Sequence, residues 1–220
     1  MQSSCLEDMT VSSTATRSAM NRHIILAALA ALCLAGCRTA DPGDFTSQET
    51  ALIHRSISGL EADVPEGTMR VLTIADSADL AVLRAPSTNL SEDALQSDEY
   101  AELCSLMVAT VTHPTQDGVG IAGPQIGLNR RVVAVQRFDK EGEPFEVYPN
   151  ISIVWASDSL AFGPEGCLSV PDRRGDVARS TEIVIEYGIP AVRDTVNGFT
   201  AVIFQHEIDH LDGVLYIDRL

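Results

Sequence analysis

Gln205-His206-Glu207-Ile208-Asp209-His210-Leu211-Asp212-Gly213 decides the reading of this chain. Two histidines four residues apart on a helix project from one face, one turn above the other. Their imidazoles can then reach a single metal ion. Glu207 lies between them, beside such an ion without being needed as a ligand. A carboxylate there can carry protons for a metal-activated water. The plain alternative is a solvated helix face that happens to hold two histidines. What the stretch lacks by itself is a third ligand.

Cys167 is the best candidate, in Phe162-Gly163-Pro164-Glu165-Gly166-Cys167-Leu168-Ser169. The glycines and proline around it predict a turn rather than a core strand. A thiolate with two imidazoles makes a three-ligand set with one open position, the mark of a catalytic rather than a structural site. The alternative is a small buried hydrophobe. His113 precedes Pro114 in a predicted loop, and His54 falls in a predicted tether. Neither is a better third ligand.

A glycine loop, Gly118-Val119-Gly120-Ile121-Ala122-Gly123-Pro124-Gln125, contains G-x-G-x-x-G. A dinucleotide site needs a strand before that pattern and a helix after it. Here a predicted helix precedes it and a strand follows, so nucleotide binding is set aside. Such glycines serve a tight turn or a close backbone approach. The Gln125 amide is able to donate to a developing oxyanion, or alternatively to pin the loop.

The order and spacing of these three motifs resemble the peptide deformylase family, over about residues 70–220. The family carries alanine where Gly123 stands; the cysteine and histidine motifs match in full. The resemblance implies an α+β fold, with antiparallel strands packed around a central metal-binding helix. It implies one divalent metal ion, Fe(2+) by expectation, with Zn(2+) or Ni(2+) as alternatives. The implied reaction removes formyl from N-formylmethionyl peptides, a step of protein biosynthesis. By motif position, Cys167, His206 and His210 are the implied metal ligands. Glu207 is the implied general base and acid for a metal-bound water. The Gln125 side chain and the Leu168 backbone N–H are the implied oxyanion donors. Arg174 is matched to the arginine that pairs with the motif glutamate, here Glu165, and so orients the Cys167 loop. Gly118, Val119 and Gly120 are assigned to substrate binding. Val202 and Phe199 lie one and two turns before His206 on the same helix face. They are candidate walls for the methionine side chain, or else ordinary core residues.

Outward from these motifs, residues 70–75 predict a short strand and residues 91–113 one amphipathic helix. Residues 114–129 predict a loop. Strands are predicted over 131–136, 146–154 and 181–187, and the histidine helix over 199–211. Runs of strands between helices indicate α+β rather than a regular parallel sheet. Cys104, at helical spacing with Leu103, Met107 and Val111, is a core residue.

The 220 residues suit one domain with an extension. They are 45% hydrophobic and 21% charged, with a net charge of −16. Residues 1–36 carry Glu7, Asp8, Arg17 and Arg22, so the negative charge lies wholly on the remainder. Such a body is a poor partner for nucleic acid or anionic lipid. Residues 24–35 are an unbroken apolar run, short for a membrane span. The run fits a signal-peptide core and ends in Leu34-Ala35-Gly36-Cys37, which resembles the lipobox of bacterial lipoproteins. The expectation is a signal peptide over 1–36, with Met20 as the true start, and a lipid anchor on Cys37. That places the protein at a membrane outside the cytoplasm, or in the cytoplasm if the signal is not functional. Residues 37–69 are expected to form a tether with one short helix over 48–60. The acidic body and short C-terminus argue against ribosome association. Two other function classes remain open at this point. One is an H-E-x-x-H metallopeptidase, although only ten residues follow His210 to supply a further ligand. The other is a non-catalytic peptide-binding metal module.

Overall fold

A computed structural model describes residues 41–59 and 64–220. The signal-peptide and lipobox expectations lie outside these residues. The C-terminal helix forms where its spacing predicts it, as α5, Gly198–Leu211; the other α-helices among the described residues are α1 (Ser47–Ile57), α2 (Ser77–Leu83), α3 (Glu92–Leu95) and α4 (Asp98–Thr112). The strands are β1 (Gly120–Ala122), β2 (Val132–Gln136), β3 (Phe145–Pro149), β4 (Ser152–Ala156), β5 (Leu160–Cys167), β6 (Val170–Ser180), β7 (Glu182–Tyr187) and β8 (Val192–Asn197). They form three antiparallel sheets, ordered β1-β2-β3, β4-β7-β8 and β5-β6. This is the expected α+β architecture.

Helix α5 is buried almost all round, which a helix tolerates only at the centre of a fold. Ala201, Ile203, Phe204, Ile208 and Leu211 join Val133 and Val135 of β2, and Ile183, Ile185 and Val196 of the second sheet, in one apolar core. Val132 and Ala134 face the other way, into a second core with Leu103, Leu106, Met107 and Val111 of α4. Strand β2 is therefore apolar on both faces because both are covered. Gln205 locks α5 to the end of β6. Its Oε1 accepts from the Ser180 N–H (3.0 Å), and its Nε2 donates to the Ser180 carbonyl (2.9 Å).

Several expectations are corrected. Residues 70–75 form no strand. The helix expected over 91–113 is two helices, because Ser91 and Ser97 each cap one, accepting from the Ala94 and Tyr100 N–H groups. The strand expected over 146–154 breaks at Asn150, whose φ is +54°. The loop expected over 114–129 holds β1 and a 3-10 turn, Gly123–Ile126. Cys167 ends an eight-residue strand rather than sitting in an isolated turn.

The expected tether is also corrected. Residues 41–57 dock on the rest of the fold through a capped helix, a fully buried Ile53 and ion pairing to Arg130. Apolar burial and a desolvated charge pair are incompatible with a loose linker.

Gly123, where the family resemblance expects alanine, has a packing reason. A Cβ there would lie 2.7 Å from both the Arg130 and Leu128 carbonyl oxygens. Gly123→Ala is expected to cost about 1–3 kcal/mol, read as a lower denaturant midpoint.

Candidate metal centre and active site

The site forms where α5, β1, the 3-10 turn and the β5–β6 hairpin converge. His206 and His210 lie one turn apart on α5, with ring centroids 5.1 Å apart. Cys167 arrives at the end of β5, its Sγ 3.2 Å from His210 Nε2. One donor atom from each of Cys167, His206 and His210 lies within 4.8 Å of the others. His206 Nδ1 is engaged by Glu165 Oε2 at 2.8 Å, so Nε2 is the ring nitrogen left to ligate once its contact to Cys167 is replaced by the ion. One thiol and two imidazoles, converging at a half-buried point, fit a borderline-soft divalent metal ion. Burial and the neighbouring His206 push His210 well below its usual range, so it is a neutral donor. His206 is pushed up to about 10 against its burial, by hydrogen bonds to Cys167 and Glu165. Ligation at His206 must displace that proton, so metal uptake weakens as pH falls.

Glu207 is buried against β1. A Cβ on Gly120 would lie 2.5 Å from Glu207 Oε1, so the glycine serves a close approach rather than a phosphate. Glu207 Oε2 is buried with no protein hydrogen-bond partner. Burial pushes the Glu207 carboxyl up to about 7, the His206 ring opposing the rise and Glu165 adding to it. If Glu207 is the base, kcat/KM should climb as it deprotonates near pH 7 and level off above. A rate that falls from pH 5 to 8 would contradict that role.

Gln125 is fully enclosed in the 3-10 turn. Its Oε1 accepts from the Ala122 N–H (2.8 Å), which turns its Nε2 toward Ser169 Oγ (3.3 Å) and Cys167 Sγ (3.5 Å). The amide oxygen pins the turn, while the amide nitrogen faces the Cys167 thiol. Leu168 lies at the β5–β6 turn and lines the same cleft as Gln125. That cleft, of about 880 Å³, is also lined by Gly118, Val119, Gly120, Phe199, Val202 and Ile203 beside His206 and Glu207. Every residue assigned to substrate binding therefore faces it. Phe199 is largely exposed and packs on Phe138, ring centroids 5.3 Å apart, so it forms part of the rim.

One assignment is wrong. Glu165 pairs with Arg179, not Arg174. Arg179 Nε and Nη2 donate to the two Glu165 carboxylate oxygens at 2.7 and 2.9 Å. The register explains this: Glu165 stands opposite Gly175 and Gly166 opposite Arg174. Side chains alternate across a strand, so Arg179 shares the Glu165 face while Arg174 takes the other. Arg174 lines the cleft rim instead. Arg179 also donates through Nη1 to Asp209 Oδ2 (2.6 Å), and Asp209 accepts from Arg219. Burial alone would raise the Glu165 carboxyl, yet Arg179 and His206 hold it down at about 2.

Arg179, Asp209, Arg219 and Ser169 were not legible as site residues. Only Asp209 carried a signal, lying one residue before a ligand on the helix.

Comparison with known proteins agrees with this geometry. A family model described as polypeptide deformylase matches residues 69–220. Peptide deformylase 2 of Vibrio cholerae is 37% identical over 147 residues, covering 64% of this chain and 86% of that protein. A Leptospira biflexa peptide deformylase is 35% identical over 150 residues, covering 63% and 82%. Among solved structures, a class I type b peptide deformylase from Acinetobacter baumannii with Met-Ala-Ser bound has a TM-score of 0.62 at 32% identity, covering 70% of this chain and 98% of that one. The Thermotoga maritima enzyme has a TM-score of 0.60 at 29% identity, covering 70% and 97%. With the metal-ligand cluster, the buried carboxylate and the family match all on the same domain, the chain belongs to the polypeptide deformylase family.

Proposed function

We propose that this domain hydrolyses the formyl amide of N-formylmethionyl peptides by metal-dependent chemistry, with the residues in the following roles. The observation that carries the reading is the orphaned Glu207 Oε2, buried in the cleft that Gln125 and the ligands Cys167 and His206 also line. Cys167, His206 and His210 would hold a divalent ion, iron by family expectation or zinc or nickel, and such an ion would lower the pKa of water toward neutrality. Glu207 takes the proton released as water attacks the formyl carbon, then delivers it to the departing amine. Gln125 Nε2 and the Leu168 N–H donate to the oxygen that gains charge. Glu165 holds the His206 ring in the tautomer that presents Nε2, and Arg179 holds Glu165. Gly118, Val119 and Gly120 lie along the peptide, and Val202 and Phe199 flank its methionine side chain.

Incubation with formyl-Met-Ala-Ser, followed by formate assay and mass spectrometry of the peptide, tests this reading. Formate with an otherwise intact peptide is expected. Internal cleavage without formate would favour a metallopeptidase, and neither product would favour a non-catalytic module.

We further propose that the chain is exported and lipid-anchored at Cys37, on the strength of the apolar run ending in Leu34-Ala35-Gly36-Cys37. The acidic body suits no partnership with ribosomal RNA. Fractionation of cells making the tagged protein and its Cys37→Ser variant checks this. Wild-type protein confined to the cytosol would refute it.

A further inference from the structure

The arm formed by residues 41–57 precedes the family match, which begins at residue 69, yet it is built into the active domain. We infer that this arm braces the turn carrying Gln125 and so sets the placement of the oxyanion donor. The inference rests on the role proposed above for Gln125.

Three contacts carry it. Thr46 and Glu49 close a capping box at the start of α1: the Thr46 hydroxyl accepts from the Glu49 N–H (3.2 Å), and the Glu49 carboxylate accepts from the Thr46 N–H (2.7 Å). The same carboxylate takes both Nε and Nη2 of the buried Arg130, at 2.7 and 2.8 Å. Arg130 also donates to the Pro42 and Asp44 carbonyls, so most of its bonds go to the arm. Further along α1, Ile53 is fully buried in one apolar cluster with Ile121, Ile126 and Leu128. Those residues flank Gln125 on both sides. Leu52 lies against Gly127, 3.5 Å from where a Cβ would stand. The turn is thus held from outside at Ile126–Gly127 by α1, and the chain that leaves it is held at Arg130 by an ion pair whose carboxylate comes from the arm.

Loss of the arm's grip would leave the metal ligands in place, since they lie on α5 and β5, while loosening Gln125. Small displacements of a donor aimed at developing charge cost rate rather than binding. Leu52 and Glu49 are accordingly positioning residues.

A double-mutant cycle in the full-length, metal-loaded chain tests this. Leu52→Ala and Glu49→Gln are each expected to lower kcat for the formyl peptide about 3–10-fold with metal content retained, and to lower it no further in a Gln125→Ala background. The two variants remove separate contacts, one at Gly127 and one at Arg130, so one that fails to fold leaves the other to decide. Equal fold losses in both backgrounds would mean the arm acts through general stability and would overturn the brace. Wild-type kcat in either arm variant would do the same. A normal kcat in Gln125→Ala alone would instead overturn the role of Gln125, and the brace's effect on rate with it.

Discussion

Glu207→Gln is expected to retain one metal ion per chain and to lose about 10²- to 10⁴-fold in kcat, the usual range for a positioned proton carrier. The amide nearly preserves side-chain volume beside Gly120, where a Cβ would already crowd Oε1 at 2.5 Å, so a lost fold does not explain a lost rate. The variant should bind the peptide about as well as the parent, because Glu207 acts on protons rather than on ground-state contacts. The measurement is single-turnover formate release alongside metal analysis. Near-normal turnover would remove Glu207 from the reaction, whatever its burial.

Arg179→Met is expected to have the largest structural effect. It removes the partner shared by two buried carboxylates, Glu165 and Asp209. Breaking a buried ion pair from one side costs about 3–5 kcal/mol, because the remaining charge stays desolvated. The loss should appear as a lower denaturant midpoint and weaker metal retention, since Glu165 orients His206. Arg174→Met, on the exposed rim, should change stability by no more than about 0.5 kcal/mol. Similar losses from both variants would contradict the observed pairing. The pH dependence follows the same carboxylate. Glu165 is held at about 2 in the fold against 4.5 ordinarily, so its pairing stabilises the protein above about pH 4.5 and that contribution fades as pH falls toward 2. Arg179→Met should flatten the stability loss across that window.

The histidine pair of the metal centre was legible because its information is local. His206 and His210 need only helical spacing to share a face, and α5 spans nearly the residues its pattern predicts. Glycine and proline hid β5, since Gly163, Pro164 and Gly166 read as a turn. They are tolerated in a two-stranded hairpin whose outer face is exposed, where a missing N–H or side chain costs little. Strand β8 was missed because only Val196 is buried in it, and its Asp194 faces inward only by pairing with the buried Arg137. Arg179 could not have been chosen over Arg174 from sequence, because the choice depends on register across the hairpin. The arm looked like a tether because its burial rests on few side chains, chiefly Ile53, and on an ion pair 81 residues apart in sequence. Long-range pairing of that kind leaves no periodic trace.

The central claim is that Cys167, His206 and His210 hold the ion on which formyl hydrolysis depends. Its most direct test follows formate release as metal is withdrawn by a chelator and restored in steps, with occupancy measured in the same samples. The account predicts turnover proportional to occupancy up to one ion per chain, and loss of both capacity and turnover in Cys167→Ser. Formate release that persists at zero occupancy, or metal content unchanged in Cys167→Ser, would contradict it.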